Sequence, residues 1–415
     1  MPRKMKESGV EWLGQIPDGW GVRRFRAFLR NVSEKNHPDA EVLSLYREFG
    51  VLPKNSRDDN HNVTGEDTSQ YKFVRKGDLV INKMKAWQGS FGVSDYEGIV
   101  SPAYYVCRFV SDEVNVRYFH YLVRTKVYAQ EFERLSTGMR IGQWDLGIED
   151  FMRVPALVPL CSEQERIAAF LDERCAKIDG MIAEAKASIE GYKKWKQSII
   201  FEAVTGKHEK NLKPSGVDWI GDVPEGWIRL RLKDYYDFEK GVNAALYTKE
   251  YVGEHPGEYP VYSGQTENNG VMGLMDRFDY EFDECLFSTT VGAKVMTPLL
   301  LRGKFSLSQN CLIMVPRKKD ISNTFFYYGL HPLFAYAKSL IPSYMQPSLR
   351  IEDLRQYFIF GPEKVDEQRR IAAELDEKCA AIDKLVGEKE ALIADLEAYK
   401  KSLIFEIVTG KREIA

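Results

Sequence analysis

The chain contains one pattern written twice, and nothing else in it constrains the fold as strongly. Residues 8–20 read Ser-Gly-Val-Glu-Trp-Leu-Gly-Gln-Ile-Pro-Asp-Gly-Trp, and residues 215–227 repeat the pattern without a gap as Ser-Gly-Val-Asp-Trp-Ile-Gly-Asp-Val-Pro-Glu-Gly-Trp. A second shared block runs from Glu163-Gln164-Glu165-Arg166-Ile167-Ala168-Ala169 to Phe201-Glu202-Ala203-Val204-Thr205-Gly206-Lys207. It returns as Glu367-Gln368-Arg369-Arg370-Ile371-Ala372-Ala373 through Phe405-Glu406-Ile407-Val408-Thr409-Gly410-Lys411. A period of about 200 residues is too long for a solenoid repeat and points to duplication of a whole unit.

The second block predicts one long helix per copy. Leu171, Ile178, Ala185, Tyr192 and Ile199 recur every seventh residue, interleaved with Cys175, Ile182 and Ile189. Leu375, Ile382, Leu396 and Leu403 keep the series in the second copy, with Cys379, Val386 and Ile393 between them and Lys389 as the departure. Heptad spacing with mixed charge elsewhere is a coiled-coil pattern, and glycine in Thr-Gly-Lys stops each helix. Each rod would reach at most about 60 Å, with Gly180, Gly191 and Gly387 as points of bending. A single apolar stripe on each helix makes the two natural partners, and a two-fold relation between the copies would set them antiparallel. The leader at 8–20 would then lie by the end of the second helix, as 215–227 follows the first.

Between these blocks the copies diverge. Strand-like runs occur at 77–82, 103–109, 284–289 and 311–316, and helical pieces follow at Val116–Leu135 and Asn323–Ser339. The expected fold class is therefore α+β. It comprises two mixed α/β globular domains in pseudo-two-fold arrangement, separated by two long antiparallel helices forming a coiled coil. The segments are a leader at 1–20, a globular domain at 21–160, a spacer helix at 161–210, the repeated leader at 211–227, a second domain at 228–362 and a second spacer helix at 363–415.

Composition narrows the function classes. No run approaches the roughly 20 apolar residues of a membrane span, and the opening residues lack the apolar core of a signal peptide. The six cysteines are scattered with no C-x-x-C pair, so a cytoplasmic protein with free thiols is expected. A net charge of −3 means that any nucleic-acid contact must come from local patches. Gly206-Lys207 and Gly410-Lys411 lack the upstream glycine of a phosphate-binding loop, no G-x-G-x-x-G opens a βαβ unit, and the six histidines are isolated. Neither catalysis nor a metal or cofactor site is expected in this chain. Glu-Gln at both helix starts reads as helix capping and dipole complementation.

Two kinds of segment suit DNA. Residues 71–90 carry Lys72, Arg75, Lys76, Lys83 and Lys85 against Asp78 alone, followed by Trp87-Gln88. Residues 285–350 carry eight Lys/Arg, Lys294 and Lys304 among them, against Asp320 alone. Basic residues hold phosphates, while Gln, Asn, Ser and Arg read base edges. The loop-like stretches 136–143 and 343–348 both precede Ile-Glu-Asp, at 148–150 and 351–353. Equivalent placement with different side chains suits loops of common position and separate specificity. Lys83, Lys85, Trp87, Gln88, Thr137, Met139, Arg140 and Gln143 are the candidate DNA contacts of the first half. Gln265, Lys294, Lys304, Gln309, Tyr344 and Gln346 are those of the second.

The Ser-Gly-x-x-Trp-x-Gly-x-x-Pro-x-Gly-Trp leader, the Ile-Glu-Asp approach and the Glu-Gln-x-Arg-Ile-Ala helix ending in Val-Thr-Gly-Lys resemble specificity subunits of type I restriction–modification systems. The likeness covers essentially the whole chain, in order and in duplicate. Pro159-Leu160-Cys161-Ser162-Glu163-Gln164 and Pro362-Glu363-Lys364-Val365-Asp366-Glu367-Gln368 depart from the family's Pro-Pro-x-x-Glu-Gln helix entrance. The resemblance implies two target-recognition domains, each reading half of a bipartite, gapped site in double-stranded DNA, with the helices fixing the gap. It also implies two modification subunits carrying S-adenosylmethionine and methylating adenine, and restriction subunits using ATP and Mg. The competing expectations are a coiled-coil scaffold without DNA specificity, which the basic segment 285–350 disfavours, and an enzyme, which the missing motifs disfavour.

Overall fold

The computed structural model describes residues 3–47, 49–56, 67–138, 144–264, 267–292, 294–342 and 344–414. The chain divides into two compact units, Met1–Ala185 with Ala391–Ala415 and Lys186–Glu390. Both long helices are continuous, the first over Cys161–Thr205 and the second over Val365–Val408, and the glycines within them interrupt neither. Each helix is divided between the units.

In unit 1 a four-stranded antiparallel sheet is built from β1 (Leu29–Val32), β2 (Leu79–Asn82), β3 (Phe91–Val93) and β4 (Tyr104–Phe109), in the order β1-β4-β2-β3. The Leu79-Val80-Ile81 run is buried because the sheet is covered on both sides. Leu79 and Ile81 face a core rich in phenylalanine, whereas Val80 faces Leu43, Leu45, Val74 and Val100. This is the period-two alternation of a strand, here apolar on both faces. The helical stretch expected over 116–135 forms as α1 (Val116–Val123) and α2 (Lys126–Leu135), and α3 (Ile148–Arg153) starts at Ile-Glu-Asp. Asn115 caps α1 by accepting from the amides of Arg117 and Tyr118.

Unit 2 holds a six-stranded sheet of β5 (Tyr236–Lys240), β6 (Pro256–Tyr262), β7 (Val271–Met275), β8 (Tyr280–Thr289), β9 (Pro298–Leu307) and β10 (Cys311–Pro316), ordered β5-β10-β8-β9-β6-β7. All pairs are antiparallel except β6 with β9. The sheet curls until Gly241, just past β5, meets the backbone of Leu307 at the end of β9, where no side chain would fit. Helix α4 (Asn323–Ser339), capped by Ser322, packs on the sheet, and α5 (Ile351–Gln356) starts at the second Ile-Glu-Asp.

The repeated segments fold alike in both units. The leader forms a small hairpin, Met5–Glu7 with Gln15–Pro17 and Leu212–Pro214 with Asp222–Pro224. The strand after it pairs with the strand entering the long helix, Gly21–Arg24 with Pro155–Val158 and Trp227–Arg231 with Phe358–Pro362. The helix-ending glycines take positive φ, +72° at Gly410 and +68° at Gly206, and their missing side chains make room for the leader. A Cβ at Gly410 would press into Pro17 and lie 3.2 Å from Trp20, and one at Gly206 would do the same to Pro224 and Trp227.

Within each unit the two long helices run antiparallel. In unit 1 Lys400 bonds both carboxylate oxygens of Asp179, and in unit 2 Lys196 does so to Asp383. Leu171, Cys175, Ile178 and Ile182 are buried with Leu403 and Ile407 in unit 1, and Leu375 and Cys379 with Ile200 and Val204 in unit 2. Each fully buried Leu or Ile contributes roughly 1.5–3 kcal/mol. The heptad reading slips near the first helix's end, where Ile200 rather than Ile199 is the buried residue. A straight helix of 3.6 residues per turn drifts away from a strict seven-residue stripe. Lys389 is half-buried.

The Glu-Gln reading is corrected in part. Glu163 does sit in the first helical turn, where it accepts from Arg3 and from the Trp20 indole N–H. Gln164 and Gln368, however, are buried and donate to the carbonyls of Pro159 and Pro362. They hold the strand exit against the helix, because a buried amide must find partners.

Candidate nucleic-acid interface

In unit 1 the loop after β2 is fixed by its own backbone. The Lys85 amide returns to the Asn82 carbonyl, Ser90 donates to Lys85, and Gly89 turns the chain at φ +83°. Ala86 is buried, which turns Met84 and Lys85 to solvent, while Trp87 and Gln88 are partly covered. The hairpin Ser136–Thr137 with Asp145–Leu146 lies against this loop. Leu146 donates to the Lys83 carbonyl at 3.1 Å, the Lys83 ammonium bonds Asp145 at 2.9 Å, and the rings of Trp87 and Trp144 stand 5.3 Å apart. The structure thus joins Lys83, Lys85, Trp87, Gln88 and Thr137 into one cluster. Met139, Arg140 and Gln143 lie outside the described residues.

Two ammonium groups near this loop are shifted in opposite senses. Burial, together with Lys35 and Lys83, holds the Lys72 ammonium below its ordinary pKa, whereas the bond to Asp145 raises that of Lys83. Lys85 is exposed and has no ion-pair partner among the described residues. Arg75 does not add to the patch, because Glu34 pairs with it at 3.1 Å.

Unit 2 repeats the arrangement with other side chains. The loop after β8 is held by Thr289 and Thr297, whose hydroxyls both donate to the Lys294 carbonyl, leaving the Lys294 side chain exposed. Leu349 donates to the Thr290 carbonyl at 2.8 Å, Val291 bridges to Ser348, and Thr290 donates to Asn310. Lys294, Gln309, Tyr344 and Gln346 are thereby brought to one edge, and Tyr344 is 86% exposed. A cavity of about 390 Å³ opens beside Gln309 and Asn310, lined across by Ala244, Ala245, Tyr247 and Thr248. Lys304 belongs elsewhere, its ammonium 4.7 Å from the centre of Phe278. Gln265 lies outside the described residues.

The linear charge count of 285–350 overstated the basic field. Arg302 pairs with Glu284, one residue before the segment, and Arg317 with Asp237, which folding brings alongside from far earlier in the chain. Sequence reasoning also missed Met84, Trp144 and Asp145 in unit 1. In unit 2 it missed the turn 242–246, where Val242 is 74% exposed. A tryptophan directly after the polar stretch 136–143 was the available signal for the first group. Among the described residues no group of three or more His, Cys, Asp or Glu is placed to hold a metal ion, and no helix is long and apolar enough to cross a membrane.

Each unit of the duplicated frame thus ties an equivalent pair of loops together. Residues 224–393 match the family model for the type I restriction modification DNA specificity domain. A Mycoplasma pneumoniae protein described as the N-terminus of a type I specificity subunit is 32% identical over 149 residues, covering 35% of this chain and 74% of that protein. Another type I specificity subunit from the same organism is 32% identical over 180 residues, covering 42% of this chain and 54% of its own length. A third relative from that organism is matched over 26% of its length. A chain solved in work on complex assembly and conformational transition of the type I R-M system shares the fold, with a TM-score of 0.71 at 16% identity, covering 96% of this chain and 99% of that one. The chain belongs to the type I restriction–modification specificity subunits, a family of DNA sequence recognition.

Proposed function

We propose that each unit reads one half of a bipartite, gapped sequence in double-stranded DNA, and that the chain does no chemistry itself. One observation carries this reading: the same bond, Leu146 to Lys83 and Leu349 to Thr290, ties together two loops in each unit whose sequences are otherwise unlike. A shared frame with different tips is what a reader of two unlike half-sites requires. Lys85 and Lys294 would hold phosphates, and Gln88, Gln309 and Gln346 would reach base edges.

The helices would set the gap and dock two methyltransferase subunits. Apolar side chains stand exposed at equivalent places, Met181 and Tyr399 in unit 1 and Leu385 and Trp195 in unit 2, each 37–52% exposed. Two matching patches suit two copies of one partner. S-adenosylmethionine, ATP and Mg belong in this reading to the methyltransferase and restriction subunits, and the complex works in the cytoplasm. Such an enzyme must extrude its target base from the duplex, with N6 of adenine as the expected acceptor.

The test is the methylation pattern of DNA modified by the assembled complex. A two-part motif with a fixed gap is expected, and replacing residues 21–160 by another member's half should change one half of the motif only. Short, ungapped methylation unaffected by loss of this chain would sink the reading. Trp195→Glu with Tyr399→Glu should abolish co-purification of the methyltransferase subunits; an intact complex would remove the docking surface.

A further inference from the structure

Where each globular half meets the long helices, the two units share a further polar arrangement, partly open to solvent. In unit 1 the Tyr121 hydroxyl, on α1, donates to Asp172 on the first long helix at 2.6 Å. One turn on, Cys175 is buried, and one turn further Asp179 takes Lys400 from the second long helix. In unit 2 Tyr328 on α4 donates to Asp376 at 2.7 Å, Cys379 is buried, and Asp383 takes Lys196 from the first long helix. Asp, Cys and Asp fall at i, i+3 and i+7, so one helix face meets the globular half and the opposing helix together. The cysteine thiol lies between the tyrosine and the lysine in both copies, and burial holds it protonated.

We infer that these two clusters are positioning joints that hold each globular half at a fixed angle on its own stretch of the helix pair, and so enforce the length of the gap. The inference rests on the reading under Proposed function. Apolar burial around each joint is non-directional and tolerates sliding. A charge-assisted hydrogen bond is short and directional, and therefore fixes orientation. The tyrosine is retained in halves that agree in little else. What both halves keep, whatever sequence each reads, is what orientation demands and base choice does not.

Tyr121→Phe with Tyr328→Phe removes two hydroxyls and little volume. The assembled methyltransferase complex is offered a pool of duplexes with both half-sites constant and the gap varied by one base pair either way, and methylated molecules are sequenced. Losing a hydrogen bond to a charged group predicts that preference for the native gap falls about tenfold while the half-site bases stay the same. Uniformly reduced methylation with unchanged gap preference, or altered half-site bases, would overturn the inference. If the double variant does not fold, Lys196→Gln with Lys400→Gln opens the exposed end of the same joints and is read identically. Absence of any gapped motif with the unaltered chain would instead refute the functional reading itself.

Discussion

Leu146 donates its amide to the carbonyl of Lys83 at 3.1 Å, and through that bond the hairpin before α3 is fixed to the loop after β2. Leu146 is fully buried, so the bond is shielded from water and the two loops move as one body. Side chains on either loop are then expected to act on the same short stretch of DNA.

Trp144 adds a side-chain link between the two loops through its ring contact with Trp87. Trp144→Ala removes the ring contact with Trp87 and, by the size of single base-contact losses, should weaken binding by about 1–3 kcal/mol. Fluorescence titration with duplexes altered in one half-site at a time provides the check. The loss should appear with the unit 1 half-site intact and vanish once that half-site is scrambled.

Lys85 and Lys294 are expected to contact phosphate. Replacing either with alanine should reduce affinity for all sequences alike and lower the salt dependence of binding by about one ion each. Lys304→Ala should leave that slope unchanged, since its ammonium rests on Phe278. Binding measured from low to moderate salt distinguishes the three variants.

Gly206 and Gly410 permit the leader to close on each helix end. Alanine at either position must adopt positive φ and push into proline, and the two effects together should cost about 2–4 kcal/mol. Thermal melting of the separate and combined variants would show it, and melting temperatures equal to the parent's would contradict the packing described.

His120 makes unit 1 sensitive to acid. Burial, and then Arg124 and Arg117, push its pKa down from 6.5 to about 3, and its ring accepts from the Val93 amide. The unfolded chain takes up this proton near pH 6.5 and the folded one only near 3. Stability is therefore full above about 6.5 and declines as pH falls towards 3, by at most about 1.4 kcal/mol per pH unit. His120→Gln, which keeps an acceptor without titrating, should flatten the melting temperature across that range.

Much of the frame was legible because it is written in periodic or repeated residues. The heptads, the Thr-Gly-Lys stops and the leader each carry local rules, and their duplication marked them as scaffold. The place of the two loops before Ile-Glu-Asp was legible too, from spacing alone. Partnerships across long separations were not. Nothing in the neighbourhood of Trp87 announces Trp144, nothing near Arg317 announces Asp237, and Tyr121 and Tyr328 sit in stretches whose other residues have diverged. Charge counted along the chain cannot register a carboxylate that arrives from another strand.

Division of each long helix between the units has a consequence for the order of events during synthesis. Unit 2 is complete once Glu390 has left the ribosome, and its sheet, α4 and its helix pair can then close. Unit 1 begins earlier but must wait for Leu403, Ile407 and Val408, which complete its core. The first half to be made is the last to be finished, and until then its apolar helix face is the nascent chain's most exposed liability to chaperones and proteases.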